Sequence, residues 1–154
     1  MEAIPAEVYA AAQVRAMDRY AIEQADIPGY TLMQRAGAAA LATLRRRWPG
    51  IQSIAVVCGG GNNAGDGYVL ASLAGAAGLK AQVFALSDPA RLKGDAATAF
   101  ADFAKDGGRH EGFDASALRG NDLVVDALLG TGVDRPVEGM LRACIEAVNA
   151  SGLP

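Results

Sequence analysis

The segment Ser53-Ile54-Ala55-Val56-Val57-Cys58, followed at once by Gly59-Gly60-Gly61-Asn62-Asn63-Ala64-Gly65-Asp66-Gly67, constrains the fold more than any other stretch. A short apolar run with β-branched residues reads as a buried strand. Three glycines in a row cost backbone entropy, and the cost suggests that something needs the exposed backbone. The turn falls between a strand and an expected helix over 66–77. There, free backbone N–H groups and the helix dipole favour an anion.

Gly59, Gly61 and Ala64 fit the G-x-G-x-x-A pattern of dinucleotide-binding turns. A tight turn without a ligand satisfies the same pattern. Asn62, Asn63 and Asp66 add oriented donors and acceptors and tolerate unusual turn dihedrals. Asp66 also reads as a cap for the helix that follows, a role compatible with ligand contact.

The rest of the chain alternates. Helices are expected over 8–26, with Val14, Met17, Ala21 and Ile22 on one face, and over 31–48, ending in Arg45-Arg46-Arg47. Those arginines suit the negative end of a helix better than they suit a phosphate site. After Pro49-Gly50 the period changes. Strands are expected over 53–58, 80–86 and 123–129, and helices from Gly94 to the break at Gly107-Gly108 and over 138–149. Between them, 109–120 holds room for a short strand and a helical turn. Strand and helix in alternation predict a doubly wound, mainly parallel sheet with helices on both faces, a Rossmann-like α/β/α sandwich. The two leading helices are expected outside the alternating unit. In such sheets ligands bind at the carboxyl ends of the strands.

Two further stretches at that edge carry chemistry. Asp126 interrupts the run Leu123-Val124-Val125 and Ala127-Leu128-Leu129, expected to be buried. A buried carboxylate needs a hydrogen-bonding partner or a cation. Gly130-Thr131-Gly132-Val133-Asp134-Arg135-Pro136 is a second glycine turn ahead of a helix. It is either a plain connection or a phosphate-reaching loop with a hydroxyl and a guanidinium. His110, the only histidine, lies in a polar segment far from these stretches and reads as a surface residue. A Ser-His-Asp or Cys-His triad is therefore not expected.

Composition narrows the class. The 154 residues suit one domain, and 51% hydrophobic with 20% charged residues is a globular balance. A net charge of −3 offers nothing to nucleic acid or an anionic membrane. The two cysteines, Cys58 and Cys144, stand in no metal-like spacing and read as reduced, buried thiols of a cytoplasmic protein. The N-terminus lacks the pattern of a signal peptide.

Gln13-Val14-Arg15-Ala16-Met17-Asp18, Ile27-Pro28-Gly29 with Leu32-Met33-Gln34-Arg35-Ala36-Gly37, the Cys58 to Gly67 segment and Asp122 to Pro136 together resemble the YjeF N-terminal domain, the NAD(P)H-hydrate epimerase family. The resemblance runs in order over nearly the whole chain. It implies an isomerase that interconverts the R and S forms of hydrated NADH and NADPH, in repair of the nicotinamide nucleotides. It implies a partner dehydratase that accepts the S form and is fused to the epimerase domain in many bacterial relatives. It also implies a homodimer. By motif, Asn62, Asn63, Ala64, Gly65 and Asp66 contact the substrate from one loop. Gly130, Thr131, Gly132, Val133, Asp134, Arg135 and Pro136 contact it from the other. Asn63 and Asp126 ligate a potassium ion, a hard cation suited to oxygen ligands.

Two departures are visible. Ala64 stands where the family often has glycine, which is expected to limit ligand approach. The chain also stops at Pro154, before the family's next strand and D-I-P-S-G loop, whose Asp contacts the cofactor and whose Ser completes the ion site. A C-terminally truncated domain with weak activity is the expectation, and the proton-transfer residue is left unassigned. Two alternatives stand beside the epimerase. One is a NAD(P) dehydrogenase with its ribose-binding acid near Ser87-Asp88, disfavoured by the lack of a hydride partner or substrate domain. The other is a non-catalytic nucleotide- or protein-binding module of the same fold.

Overall fold

The computed structural model describes residues 8–133 and 136–154. The elements run α1 (Ala11–Glu23), α2 (Gly29–Arg47), β1 (Ser53–Cys58), α3 (Asn62–Ala76), β2 (Lys80–Ala85), α4 (Gly94–Lys105), β3 (His110–Gly112), β4 (Leu123–Ala127) and α5 (Gly139–Ala150), with 3-10 turns at Pro89–Arg91 and Ala115–Leu118. All strand pairs are parallel, in the order β3-β2-β1-β4.

Strand β1 is central and buried along its whole length, as a strand covered on both faces should be. Its alternate residues feed two cores. Ile54, Val56 and Cys58 face α2, α3 and α4, where Met33, Leu44, Tyr68, Leu70 and Phe103 close the larger cluster. Ala55 and Val57 face α5 and the second 3-10 turn, where Leu118, Leu128 and Cys144 close the smaller one. The result is the expected three-layer α/β/α sandwich. The short strand and helical turn foreseen between 109 and 120 are β3 and the turn Ala115–Leu118.

Four expectations are corrected. Helix α2 does not stand outside the alternating unit: Met33, Gly37, Leu41 and Leu44 are buried within its layer. Gly37 makes this possible, since a Cβ there would come within 2.6 Å of Val69 Cγ1 on α3. Helix α1 does stand outside, with no buried residue. Helix α3 starts at Asn62 rather than Asp66, so the glycine turn is only Gly59–Gly61, and Gly61 rather than Asp66 is the N-cap. Strand β4 ends at Ala127, because the Asp126 carboxylate accepts the Leu128 N–H at 2.9 Å and turns the chain. Asp126 itself is exposed, not buried, β4 being the outermost strand beside β1 among the described residues. That edge meets the C-terminus, where the Val124 N–H donates to the Pro154 carbonyl at 3.0 Å. An apolar groove of about 430 Å³ beside it is lined by Trp48, Leu123 and Val125 among others.

His110 is exposed at the far edge, in β3 rather than a loop, its ring edge-on to Phe100. Cys58 and Cys144 are free and buried, and burial pushes their thiols up to about 12 and about 11. Among the described residues no helix is long and apolar enough to cross a membrane.

Candidate active site

The chain runs outward from β1 through β2 to β3, then returns to place β4 on the other side of β1. The connections leaving β1 and β4 therefore diverge at a switch point, where open parallel sheets bind ligands. A crevice of about 1060 Å³ lies there.

Its floor is made by two backbones in close approach. The Gly59 N–H donates to the Ala127 carbonyl at 3.0 Å, and a Cβ on Gly59 would collide with the Leu128 carbonyl oxygen. Only glycine lets the two turns meet. One residue into α3, Asn63 Nδ2 donates to the Leu129 carbonyl at 3.1 Å and ties the helix to the second turn. No side chain caps the first turn of α3; the Ala64 N–H donates to the Gly61 carbonyl at 3.0 Å, which leaves the Asn62 and Asn63 N–H groups for an acceptor from outside the chain.

The structure brings Asn62, Asn63, Asp66, Gly130, Thr131, Gly132, Val133 and Pro136 to the crevice. Ala64 and Gly65 do not line it. Both are buried in α3, and the Ala64 methyl belongs to the larger core. The alanine in place of glycine thus turns inward and leaves ligand approach unrestricted, contrary to the sequence expectation. Asp134 and Arg135 lie outside the described residues. Asp126 stands just below the second turn, one carboxylate oxygen engaged by Leu128.

Helix α1 closes the crevice from above with Val14, Arg15 and Asp18. Arg15 Nη1 donates to the Thr131 carbonyl at 2.9 Å, bridging 116 positions of sequence to hold the second turn. These residues were legible only as part of a motif, because periodicity assigns Arg15 and Asp18 to a solvated helix face. Ser87, Asp88 and Arg91, after β2, form the opposite wall.

Asp66 is the crevice's perturbed group. It is half-buried, and its carboxyl is pushed up to about 6, first by burial and second by the charge of Asp18. A carboxyl with a pKa near neutrality can both give and take a proton at physiological pH. Among the described residues no cluster of three or more His, Cys, Asp or Glu could hold a metal. Asn63 lines the crevice and is tied to the Leu129 carbonyl through its amide nitrogen, whereas Asp126 is not part of the crevice lining.

Fold and crevice define an α/β protein with a crevice at the switch point of a parallel sheet. The family model of the YjeF-related protein N-terminus matches residues 29–154. The chain belongs to this family. It is 41% identical, over 94% of its length, to the bifunctional NAD(P)H-hydrate repair enzyme Nnr of Coxiella burnetii, of which it covers 30%. To the NAD(P)H-hydrate epimerase of Limosilactobacillus fermentum it is 36% identical over 94% of its length, covering 69% of that protein. The chain thus spans under a third of the bifunctional relative and about two thirds of the single-function one. The crystal structure of the yeast protein ynu0 shares the fold, with a TM-score of 0.85 at 19% identity, over 96% of this chain and 68% of that one.

Proposed function

We propose that the crevice binds hydrated NADH or NADPH and epimerises it, the activity named for the epimerases this chain resembles. The observation that carries this reading is the convergence of the α3 N-terminus and the Gly130–Val133 turn on one crevice with Asp66 in its wall.

The uncapped first turn of α3 suits the pyrophosphate. The hydrated ring bears a hydroxyl on the carbon next to the ring nitrogen. To invert that carbon, the C–O bond must break and reform on the other face. Asp66 gives its proton to the departing hydroxyl, which leaves as water while the nitrogen lone pair closes a C=N bond. Water then adds from the opposite face, and its proton returns to the Asp66 carboxylate. The group ends as it began, so one carboxyl of near-neutral pKa serves both steps when the planar intermediate turns its other face to it. Arg15, through Thr131, holds the second turn against the substrate.

The resemblance assigns a potassium ion to the oxygens of Asn63 and Asp126, a donor set suited to a hard cation. When bound it supplies positive charge beside the second turn. The exposed apolar side chains Val8, Met17, Tyr20 and Ile22 on and beside α1 suit a homodimer. Sedimentation at rising concentration should show a dimer, and a monomer throughout would remove that part of the reading. A partner dehydratase, fused or separate, would consume the S form. The test mixes R- and S-hydrated NADPH with excess dehydratase. Added chain should let the R form disappear, and an R form that persists would refute the assignment.

A further inference from the structure

The crevice continues past the glycine turn to the carboxyl end of β2, where Ser87, Asp88 and Arg91 form its wall. This wall is held firmly. Pro89 and Leu92 are buried on either side of the turn. The Asp88 carboxylate accepts the Ala90 N–H at 3.0 Å and closes it. Ser87 lies against the glycine turn, its Oγ 3.1 Å from where a Cβ of Gly60 would stand.

Arg91 is exposed on this turn, and among the described residues it makes no ion pair. The crevice's charges are arranged along its length. Asp18 and Asp66 stand at the α1 end, where Arg15 is engaged with the Thr131 carbonyl. Arg91 stands at the β2 end. A dianionic group meets two carboxyls and an engaged arginine at the first end, and one carboxylate, Asp88, with an unengaged arginine at the second.

In parallel sheets whose first glycine turn receives a pyrophosphate, the adenosine half extends toward the end of the second strand. A carboxylate there takes the ribose hydroxyls, and an arginine takes a 2′-phosphate. Here one oxygen of the Asp88 carboxylate is held by its own turn, while the Arg91 guanidinium makes no ion pair among the described residues. We infer that Arg91, with the Ser87 hydroxyl, is the group that selects a 2′-phosphate, so that hydrated NADPH is preferred to hydrated NADH. The guanidinium fork matches phosphate in shape and charge, and the serine adds a donor from the adjoining residue run. The inference rests on the proposed function for the placement of the pyrophosphate.

The probes are 2′,5′-ADP and 5′-AMP, which carry no nicotinamide ring and so report on this wall apart from the epimerisation. Calorimetric titration of the chain at low salt should show 2′,5′-ADP bound about tenfold or more tighter than 5′-AMP, the scale of one charge-assisted pair. Arg91→Ala should abolish that difference while leaving 5′-AMP affinity unchanged, and Arg91→Lys should retain part of it. Raising the salt should narrow the gap. Equal binding of the two probes, a preference that survives Arg91→Ala, or no measurable binding of 2′,5′-ADP would each overturn the inference. A chain that selects 2′,5′-ADP yet leaves R-hydrated NADPH unconverted would keep this inference and defeat the epimerase reading instead.

Discussion

At Asp66 a half-buried carboxyl faces Asp18 across the crevice, and the cost of charging it sets up a trade between stability and chemistry. Its folded pKa, about 6, lies above the ordinary carboxylate range. The folded chain therefore binds this proton more tightly than the unfolded chain. The resulting stability is fully present below about pH 4 and is lost as pH rises through about 6. A shift of this size corresponds to at most about 3 kcal/mol, and solvent screening of a half-exposed group reduces it to about 1 kcal/mol. Asp66→Asn should accordingly raise the urea midpoint at pH 8 by the equivalent of about 1 kcal/mol and leave it nearly unchanged at pH 4. The same substitution should remove the epimerase activity. A variant that is less stable at pH 8 would show that the carboxylate has a partner and is not poised. The sequence presented Asp66 as an acid after a glycine turn, but not its burial. That depends on α1, which folds back over the crevice from outside the alternating unit.

Among the elements, α3 and the β1–β4 pair carry the most exacting packing. Helix α3 lies so close to the sheet that a Cβ on Gly67 would stand 2.7 Å from Ala127 Cβ and 3.0 Å from Cys58 Sγ. Gly67→Ala should cost about 1–3 kcal/mol by overpacking, read as a lower urea midpoint at unchanged slope. A neutral effect would mean that the helix can lift from the sheet without penalty. The start of β4 is latched to β1 by Asp122, whose carboxylate accepts the N–H groups of Gln52 and Ser53 at 2.8 and 2.9 Å and the Ser53 hydroxyl at 3.0 Å. These hydrogen bonds, the Gln52 N–H foremost, hold its pKa below the ordinary carboxylate value. Its stability contribution is therefore present above about pH 4 and is lost as pH falls through the depressed folded pKa. Asp122→Asn should lower the melting temperature at pH 7 and make the acid transition shallower, and an unchanged acid transition would contradict the latch. Strand and helix types were legible from period and breakers, since β1 is an unbroken apolar run and α4 shows one face. The ends were not. The first turn of α3 was read as loop because Asn62, Asn63 and Gly65 are poor helix formers, and packing against β1 overrides that preference. Strand β4 reads two residues too long in the sequence because Leu128 and Leu129 are apolar, whereas the Asp126 side chain ends the ladder first.

Over the whole molecule, strand order decides where chemistry can occur, and strand order is not local information. Alternation announced a parallel sheet but could not say that β4 returns beside β1 and leaves β3 at the far edge. That return makes one crevice of two turns some 70 residues apart. It also explains the misplaced burial of Asp126, since an apolar run looks the same in a central strand and in one at the edge. The site was thus legible as two stretches of sequence, while α1 and the turn after β2, which complete its walls, emerge only from the fold. The central claim is that this crevice inverts the hydrated carbon through Asp66. It is tested most directly by measuring the R-to-S rate of hydrated NADPH by NMR at pH 7, with the chain and with its Asp66→Asn variant side by side. The account predicts conversion above the uncatalysed rate with the chain and a loss on the order of 100-fold or more in the variant, the scale of a lost general acid–base. Equal rates for the two proteins, or a chain no faster than buffer, would contradict it.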